Sequence, residues 1–393
     1  MIASTGSSTS SAPKAVYFDN AASTPLDPQV LEAMMPFLLE HIGNPSSIHS
    51  HGRKLRAAIE NARKTIAHLI NAAPAEVFFT SGGTEGDNYA AVGSIRTLGL
   101  QHAITSPLEH HAVLHTLEAL AKTDKLELSY VRHDERGQLD LAHLEELLAT
   151  HSRSFVSLMH ANNEIGNIND IQAIGEICQR HNAVFHTDTV QTMGHYPHDL
   201  QQLKAHFLVG SAHKLHGPKG VGFVYNRAGI QIEPLVHGGS QERNVRAGTE
   251  NVAGIVGLAK AMEIAYEGIN EHHRHIQSLK DRFITRLVAE IDDVRFNGMS
   301  AEADKSLYTV LNVSLPPSEI SEMLLFNLDI NRVSVSGGSA CTSGANAGSH
   351  VLTALDSDPT RGAIRFSISK FNTVEEVDFA VAQLAKLYRK VAV

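Results

Sequence analysis

The chain has 393 residues, of which 42% are hydrophobic and 19% charged, with a formal net charge of −9. That length exceeds what one hydrophobic core usually serves, so two domains are expected, and the composition is that of a soluble globular protein. A negative balance without a basic run excludes a general nucleic-acid partner, and no stretch approaches the roughly 18–20 apolar residues that span a bilayer, so no membrane partner is expected either.

Residues 1–14 are mostly Ser, Thr, Ala and Gly. They lack the apolar centre of a secretory signal and read as a disordered tail. A helical pattern over 53–72 precedes an apolar strand at 77–80. The segment from Thr80 to Asn88 then opens a helix, and its backbone amides at Gly83, with the Thr84 hydroxyl, suit a phosphate. It has neither dinucleotide nor Walker spacing. A strand at 103–105 leads into Pro107-Leu108-Glu109-His110-His111, where His110 can stack on an aromatic ring and move protons near neutrality. Further strands at 126–131, 155–159, 184–186, 207–209 and 221–225 alternate with helices at 139–149 and 171–181. This alternation predicts an α/β fold with a mostly parallel sheet covered on both faces.

Two of these strands end in functional groups. The run 183–186 closes at Asp188, and 206–210 closes at Ser211-Ala212-His213-Lys214. A lysine just past a buried strand can lose solvation, titrate near neutrality and form an imine with an aldehyde cofactor. Paired with a carboxylate for a pyridinium nitrogen, it is what pyridoxal phosphate requires. Ser211 and His213 add donors for the same phosphate.

A long helical pattern after Gly248 bridges to a second, smaller α+β unit. This gives a large cofactor-binding domain over 15–261 and a small one over 262–393. The cluster His272-His273-Arg274-His275 reads as a solvated helix face, and no metal is expected. The small unit holds strands at 307–315, 333–336 and 363–368 and helices at 319–328 and 373–390, the last opened by a Thr373/Glu376 capping box. Cys341 lies in a run of small residues from Ser336 to Ser349 that should be exposed and mobile, whereas Cys178 looks like a buried structural thiol. Two cysteines in such different settings suit a reducing, cytoplasmic compartment. A mobile thiol beside an aldehyde cofactor suggests sulfur chemistry. Arg365, inside an apolar strand, needs an anion: either a substrate α-carboxylate or a buried acidic side chain.

These residues, with Asp19-Asn20-Ala21-Ala22-Ser23-Thr24-Pro25, Gly43-Asn44-Pro45, Asn162-Asn163-Glu164-Ile165-Gly166, His186 to Gln191, Gly238 to Thr249 and Ser339 to Ser343, resemble the NifS/IscS-like cysteine desulfurases. These are fold-type I pyridoxal-phosphate enzymes related to class V aminotransferases, and the likeness spans about 17–388. The resemblance implies Lys214 as the Schiff-base lysine, Asp188 as partner of the pyridine nitrogen, His110 as the stacking acid/base and Gln191 on the ring oxygen. Gly83, Thr84, Ser211 and His213 would hold the phosphate. Thr249 would reach the neighbouring subunit's phosphate in a homodimer, Asn44, Asn162 and Arg365 would bind the substrate carboxylate, and Cys341 would carry the persulfide. The implied reaction converts L-cysteine to L-alanine and passes sulfur to an acceptor protein, in iron–sulfur cluster assembly or another pathway. A selenocysteine lyase, a cysteine sulfinate desulfinase or a non-catalytic sulfur carrier are the alternatives. The acidic-proline segment that scaffold-serving members carry after the cysteine is replaced here by residues 344–348, and the chain stops at Val393.

Overall fold

The computed structural model describes residues 15–151, 153–337 and 348–389. The expected tail over 1–14 and Cys341 lie outside them. Strand β1 (Val16–Tyr17) precedes helix α1 (Pro28–Leu39), which starts where the Asp27 side chain accepts the Gln29 N–H and Pro28 occupies the first turn. Helix α2 (Ser50–Leu69) begins three residues earlier than its apolar pattern implied, because His49 Nδ1 caps the Gly52 N–H at 3.3 Å. Then β2 (Val77–Thr80), α3 (Gly83–Leu98), β3 (His102–Thr105), α4 (His111–Thr123), β4 (Glu127–Tyr130), α5 (Leu141–Ala149), β5 (Ser154–Ser157), α6 (Ile171–Arg180) and β6 (Val184–Asp188) alternate strand with helix. They are followed by β7 (Phe207–Ser211) and β8 (Gly222–Asn226).

Among the described residues seven strands form one sheet, ordered β2-β8-β7-β6-β5-β3-β4. Neighbours run parallel except at β8, which is antiparallel to β2 and β7. The connection from β7 to β8 is too short to hold a crossover helix, so the chain can only fold straight back. Every residue of β2, β3 and β5 to β8 is buried, as expected of strands covered on both faces. Alternate side chains serve opposite layers. Phe155 and Phe207 pack with Tyr89 and Ile95 of α3 and Leu117 of α4, while Val156, Phe185 and Leu208 pack with Ile59 and Ile66 of α2 and Ile174 of α6.

Helices α7 (Val252–Glu267) and α8 (Ile269–Glu290) lead to β9 (Arg295–Phe296), β10 (Val310–Leu315), α9 (Leu324–Ile330), β11 (Val333–Ser334), α10 (His350–Ala354), β12 (Gly362–Ser367) and α11 (Val374–Arg389). Strands β12, β10 and β9 pair antiparallel in that order. Helix α9 starts later than predicted, after a tight 3-10 turn at Ser321–Met323. The capping box at α11 forms as expected, with Thr373 N–H to Glu376 at 3.2 Å and Glu376 N–H to Thr373 Oγ1 at 3.3 Å. The second core includes the start of the described chain. Val16 pairs with Val333, and Phe18 lies edge-on to Phe283 at 5.0 Å between centroids. Residues 19–24 consequently run from the small unit across the carboxyl ends of the large sheet, where open α/β sheets bind ligands.

Candidate active site

A cleft opens beyond those strand ends, lined by Ala21, Ala22, Gly83, Thr84, Asp87, His110, Asn163, Asp188, Gln191, Ser211, His213, Lys214 and Arg365 among others. Each enters because it sits where a strand stops or a helix starts. Gly83 and Thr84 open α3 after β2, and Gly82, at the cap position, offers that helix no side-chain acceptor. The first-turn amides of α3 therefore face the cleft as anion donors. A methyl group at Gly83 would come within 2.8 Å of Val190 Cγ2, so the loop can sit this close to the turn after β6 only with glycine there. Glu85 fixes the loop from outside, accepting the Ser81 N–H at 2.8 Å and pairing with Arg246 at 2.9 Å. Burial would raise the Glu85 carboxyl, and these hydrogen bonds hold it below its ordinary value.

Asp188 ends β6 and is buried. One carboxylate oxygen accepts the Val190 N–H at 2.8 Å. Burial, and then the nearby Asp87 carboxylate, push it up to about 7. His110 caps α4, its Nδ1 accepting the Ala112 N–H at 3.1 Å. Burial and then Lys214 lower it to about 4. The ring is neutral at physiological pH and carries its proton on Nε2, the nitrogen left to face the cleft. His213 is likewise lowered to about 4 by burial and then Lys214, and its Nδ1 is 3.3 Å from Ser23 Oγ. Lys214 Nζ donates to the carbonyls of Ala21 at 2.6 Å and Ala22 at 2.8 Å, and Gln191 donates to the Ala21 carbonyl at 3.1 Å.

Of the two sequence readings of Arg365, the structure shows the acidic side-chain partner. The guanidinium pairs with Asp19 at 2.9 Å and donates to the Asn163 carbonyl at 2.8 Å, while Nε has no hydrogen-bond partner and the side chain lines the cleft. Three other candidates lie elsewhere. Asn162 is buried with its amide spent on backbone: Nδ2 donates to the Leu108 carbonyl at 2.7 Å, and Oδ1 accepts the Glu164 and Ile165 N–H groups. Its neighbour Asn163 reaches the cleft instead. Asn44 is exposed, its Oδ1 accepting the Ser46 N–H. Thr249 is exposed on the far side of the glycine loop, beside Ser81 and Arg246. Cys341 lies outside the described residues, and Cys178 is fully buried, its thiol pushed up by burial.

Sequence reasoning missed two contributors. Asp87 stands three residues after Thr84, the helical spacing that puts both on one side of α3. The carbonyls of Ala21 and Ala22, which receive the lysine, leave no trace in side-chain chemistry.

The description of the class-V aminotransferase family matches residues 16–379. The chain is 44% identical over 380 residues to the cysteine desulfurase IscS of Dictyoglomus turgidum, covering 95% of each. It is 42% identical over 390 residues to that of Methanosarcina thermophila, covering 98% of this chain and 95% of the other. Among solved structures it superposes on a NifS-like protein with a TM-score of 0.88 at 37% identity, covering 96% of this chain and all of that one. It also superposes on a structure described as SspA in complex with cysteine, with a TM-score of 0.79 at 30% identity, covering 91% and 99%.

Proposed function

The chain belongs to the class-V aminotransferase family, and on that premise we propose how its cleft works as a pyridoxal-phosphate-dependent cysteine desulfurase. The enzyme takes L-cysteine to L-alanine and passes the sulfur on. The donor set suits the cofactor: helix-start amides and hydroxyls of Thr84 and Ser211 for the phosphate, a buried carboxylate at Asp188 for the ring nitrogen, and an amine at Lys214. When bound, the cofactor supplies an electrophilic carbon for the substrate amine and a ring that acidifies the substrate's α-proton.

The protein's own groups do the rest. Lys214 Nζ takes the proton from the α-carbon and later returns it. His110 Nε2 faces the substrate thiol and manages its proton, while Nδ1 stays tied to the Ala112 amide. Arg365, held by Asp19 and Asn163, receives the substrate carboxylate through the N–H donors that these two bonds leave over. The Cys341 thiolate attacks the substrate sulfur as the Cβ–S bond breaks; the bond's electron pair stays with the carbon fragment, which is protonated at Cβ and leaves as alanine, and Cys341 is left as a persulfide for a protein acceptor.

Two further readings follow. The exposed apolar stripe Leu31, Met35, Leu38 and Leu39 on α1, with Ile42 and Ile48 beyond it, supports a homodimer in which Thr249 serves the partner's phosphate. A buried free thiol at Cys178, and the fact that no helix among the described residues is long and apolar enough to cross a membrane, support work in the cytoplasm.

The observation that carries this reading is that Lys214, Asp188 and His110, from three different strand ends, line one cleft with the α3 helix start. It is tested by incubating the protein with L-cysteine and locating any added sulfur by mass spectrometry. One sulfur on Cys341 with equimolar alanine is expected. Lys214→Ala should abolish alanine formation, and Cys341→Ala should abolish turnover of L-cysteine while sparing that of selenocysteine and cysteine sulfinate. Alanine formation that survives Lys214→Ala refutes the assignment.

A further inference from the structure

One carboxylate in the cleft has no role in the reaction as described. Asp87 is 2% exposed, and its Oδ1 lies 3.3 Å from His186 Nε2, both atoms being buried without a hydrogen-bond partner among the described residues. His186 is fully buried and precedes Asp188 by two residues on β6, so both point to the same face of the sheet. Its other nitrogen, Nδ1, lies 2.8 Å from Ser157 Oγ on β5. Asp87, His110 and Asp188 each place one polar atom within 4.8 Å of the others. From the remaining sides Lys214 approaches past β7, and Glu109 arrives from the turn before α4 with Oε1 accepting the Met159 N–H at 2.7 Å.

Two carboxylates this close and sealed from water do not both stay ionised. The proton must settle on one of them, and the geometry discriminates. Asp188 already has a backbone N–H on its carboxylate, which favours the charged form, whereas Asp87 faces an imidazole nitrogen that can accept a proton. Burial raises Asp87 to about 8 and lowers His186 to about 4, so near neutrality the proton between them stays on the carboxyl. The Asp87 O–H then lies 3.3 Å from an unpartnered acceptor, His186 Nε2, and the imidazole proton sits on Nδ1, toward Ser157 Oγ. Burial also pushes the Glu109 carboxyl well above its ordinary value.

We propose that Asp87 is a positioning residue for the cofactor: with His186 it holds one buried proton, and its neutral form leaves Asp188 as the single anion offered to the pyridine nitrogen of pyridoxal phosphate. This rests on the reading that Asp188 partners that nitrogen. An asparagine at position 87 reproduces the neutral donor to His186, whereas an alanine leaves the imidazole without it.

The test titrates apoprotein with pyridoxal phosphate and follows the infrared carbonyl stretch of protonated carboxylic acids in the holoprotein at pH 7. Asp87→Ala should weaken cofactor affinity about tenfold or more, the equivalent of one unit of pKa or beyond. Asp87→Asn should recover affinity to within about threefold of wild type. The infrared band should lose intensity in Asp87→Asn and keep it in Asp188→Asn. Asparagine as damaging as alanine, alanine as harmless as asparagine, or a band lost with Asp188 instead of Asp87 each overturn the proposal. Unchanged affinity in Asp188→Asn overturns the Asp188 reading itself, and this inference with it.

Discussion

His110 performs two jobs that a single substitution can separate. Its Nδ1 caps α4 and, in the proposed reaction, its Nε2 faces the substrate, while an N-cap needs only a short acceptor. His110→Asn keeps such an acceptor for the Ala112 N–H and removes the imidazole, so turnover should fall by about 10²–10⁴ while thermal stability barely moves. His110→Ala should lose the same activity and about 1 kcal/mol of stability besides. Kinetics and melting curves on the two variants check the division, and a large melting shift in His110→Asn would show that the ring itself supports the fold. At this scale the sequence was legible wherever chemistry singles out a residue type, such as a lysine or carboxylate closing an apolar strand. It was illegible where two identical side chains adjoin. Asn162 and Asn163 differ only in direction, set by a turn in which Asn162 Oδ1 binds two successive amides and so turns away from the cleft.

The strands were readable because burial on both faces demands unbroken apolar runs, and β2 lies where the run 77–80 put it. Helix α1 escaped because its outward residues Leu31, Met35, Leu38 and Leu39 are as apolar as the buried Val30 and Met34, which erases the amphipathic signal. Buried charge also decides local structure. Glu242, Arg243 and Asn244 run consecutively at φ 42°, 56° and 68°, a left-handed stretch that L-residues resist. It persists because Arg63, 2% exposed, grips Glu242 through both nitrogens at 2.7 and 2.8 Å and also holds the Val77 carbonyl. Arg63→Ala strands Glu242 in the interior and should cost about 3–5 kcal/mol in a urea titration. On α8, Lys280 is fully buried, donating to Ser306 Oγ and the Leu307 carbonyl, and burial lowers it to about 7. Its folded value lies below its unfolded one, so between about pH 7 and 10 the unfolded chain binds a proton that the folded chain refuses. That contribution to stability is full above the unfolded value and is lost as pH falls toward 7. Lys280→Met should flatten this part of the stability–pH curve, and an unchanged slope would place the lysine's proton elsewhere.

For the whole molecule, the decisive feature is that residues 19–24 leave the second core and cross the mouth of the first. Asp19 holds Arg365, and Ala21 and Ala22 hold Lys214, so the groups proposed to bind substrate and cofactor are tied by one short segment. On the far side of the glycine loop from the cleft, Ser81, Arg246 and Thr249 line a separate surface hollow. In the proposed homodimer the apolar stripe of α1, with Leu38 57% exposed and Leu39 71%, is the face that a second copy covers. Replacing Leu38 and Leu39 together by aspartate should halve the sedimenting mass at micromolar concentration. If Thr249 serves the opposite subunit, the same variant should also bind pyridoxal phosphate more weakly, although neither leucine lines the cleft. Thr249→Ala in the intact dimer should reproduce the weaker binding without the change in mass. A wild-type protein that sediments as a monomer with its cofactor fully bound would remove the partner from the site, and the α3 helix start would then have to hold the phosphate with the cleft's own donors.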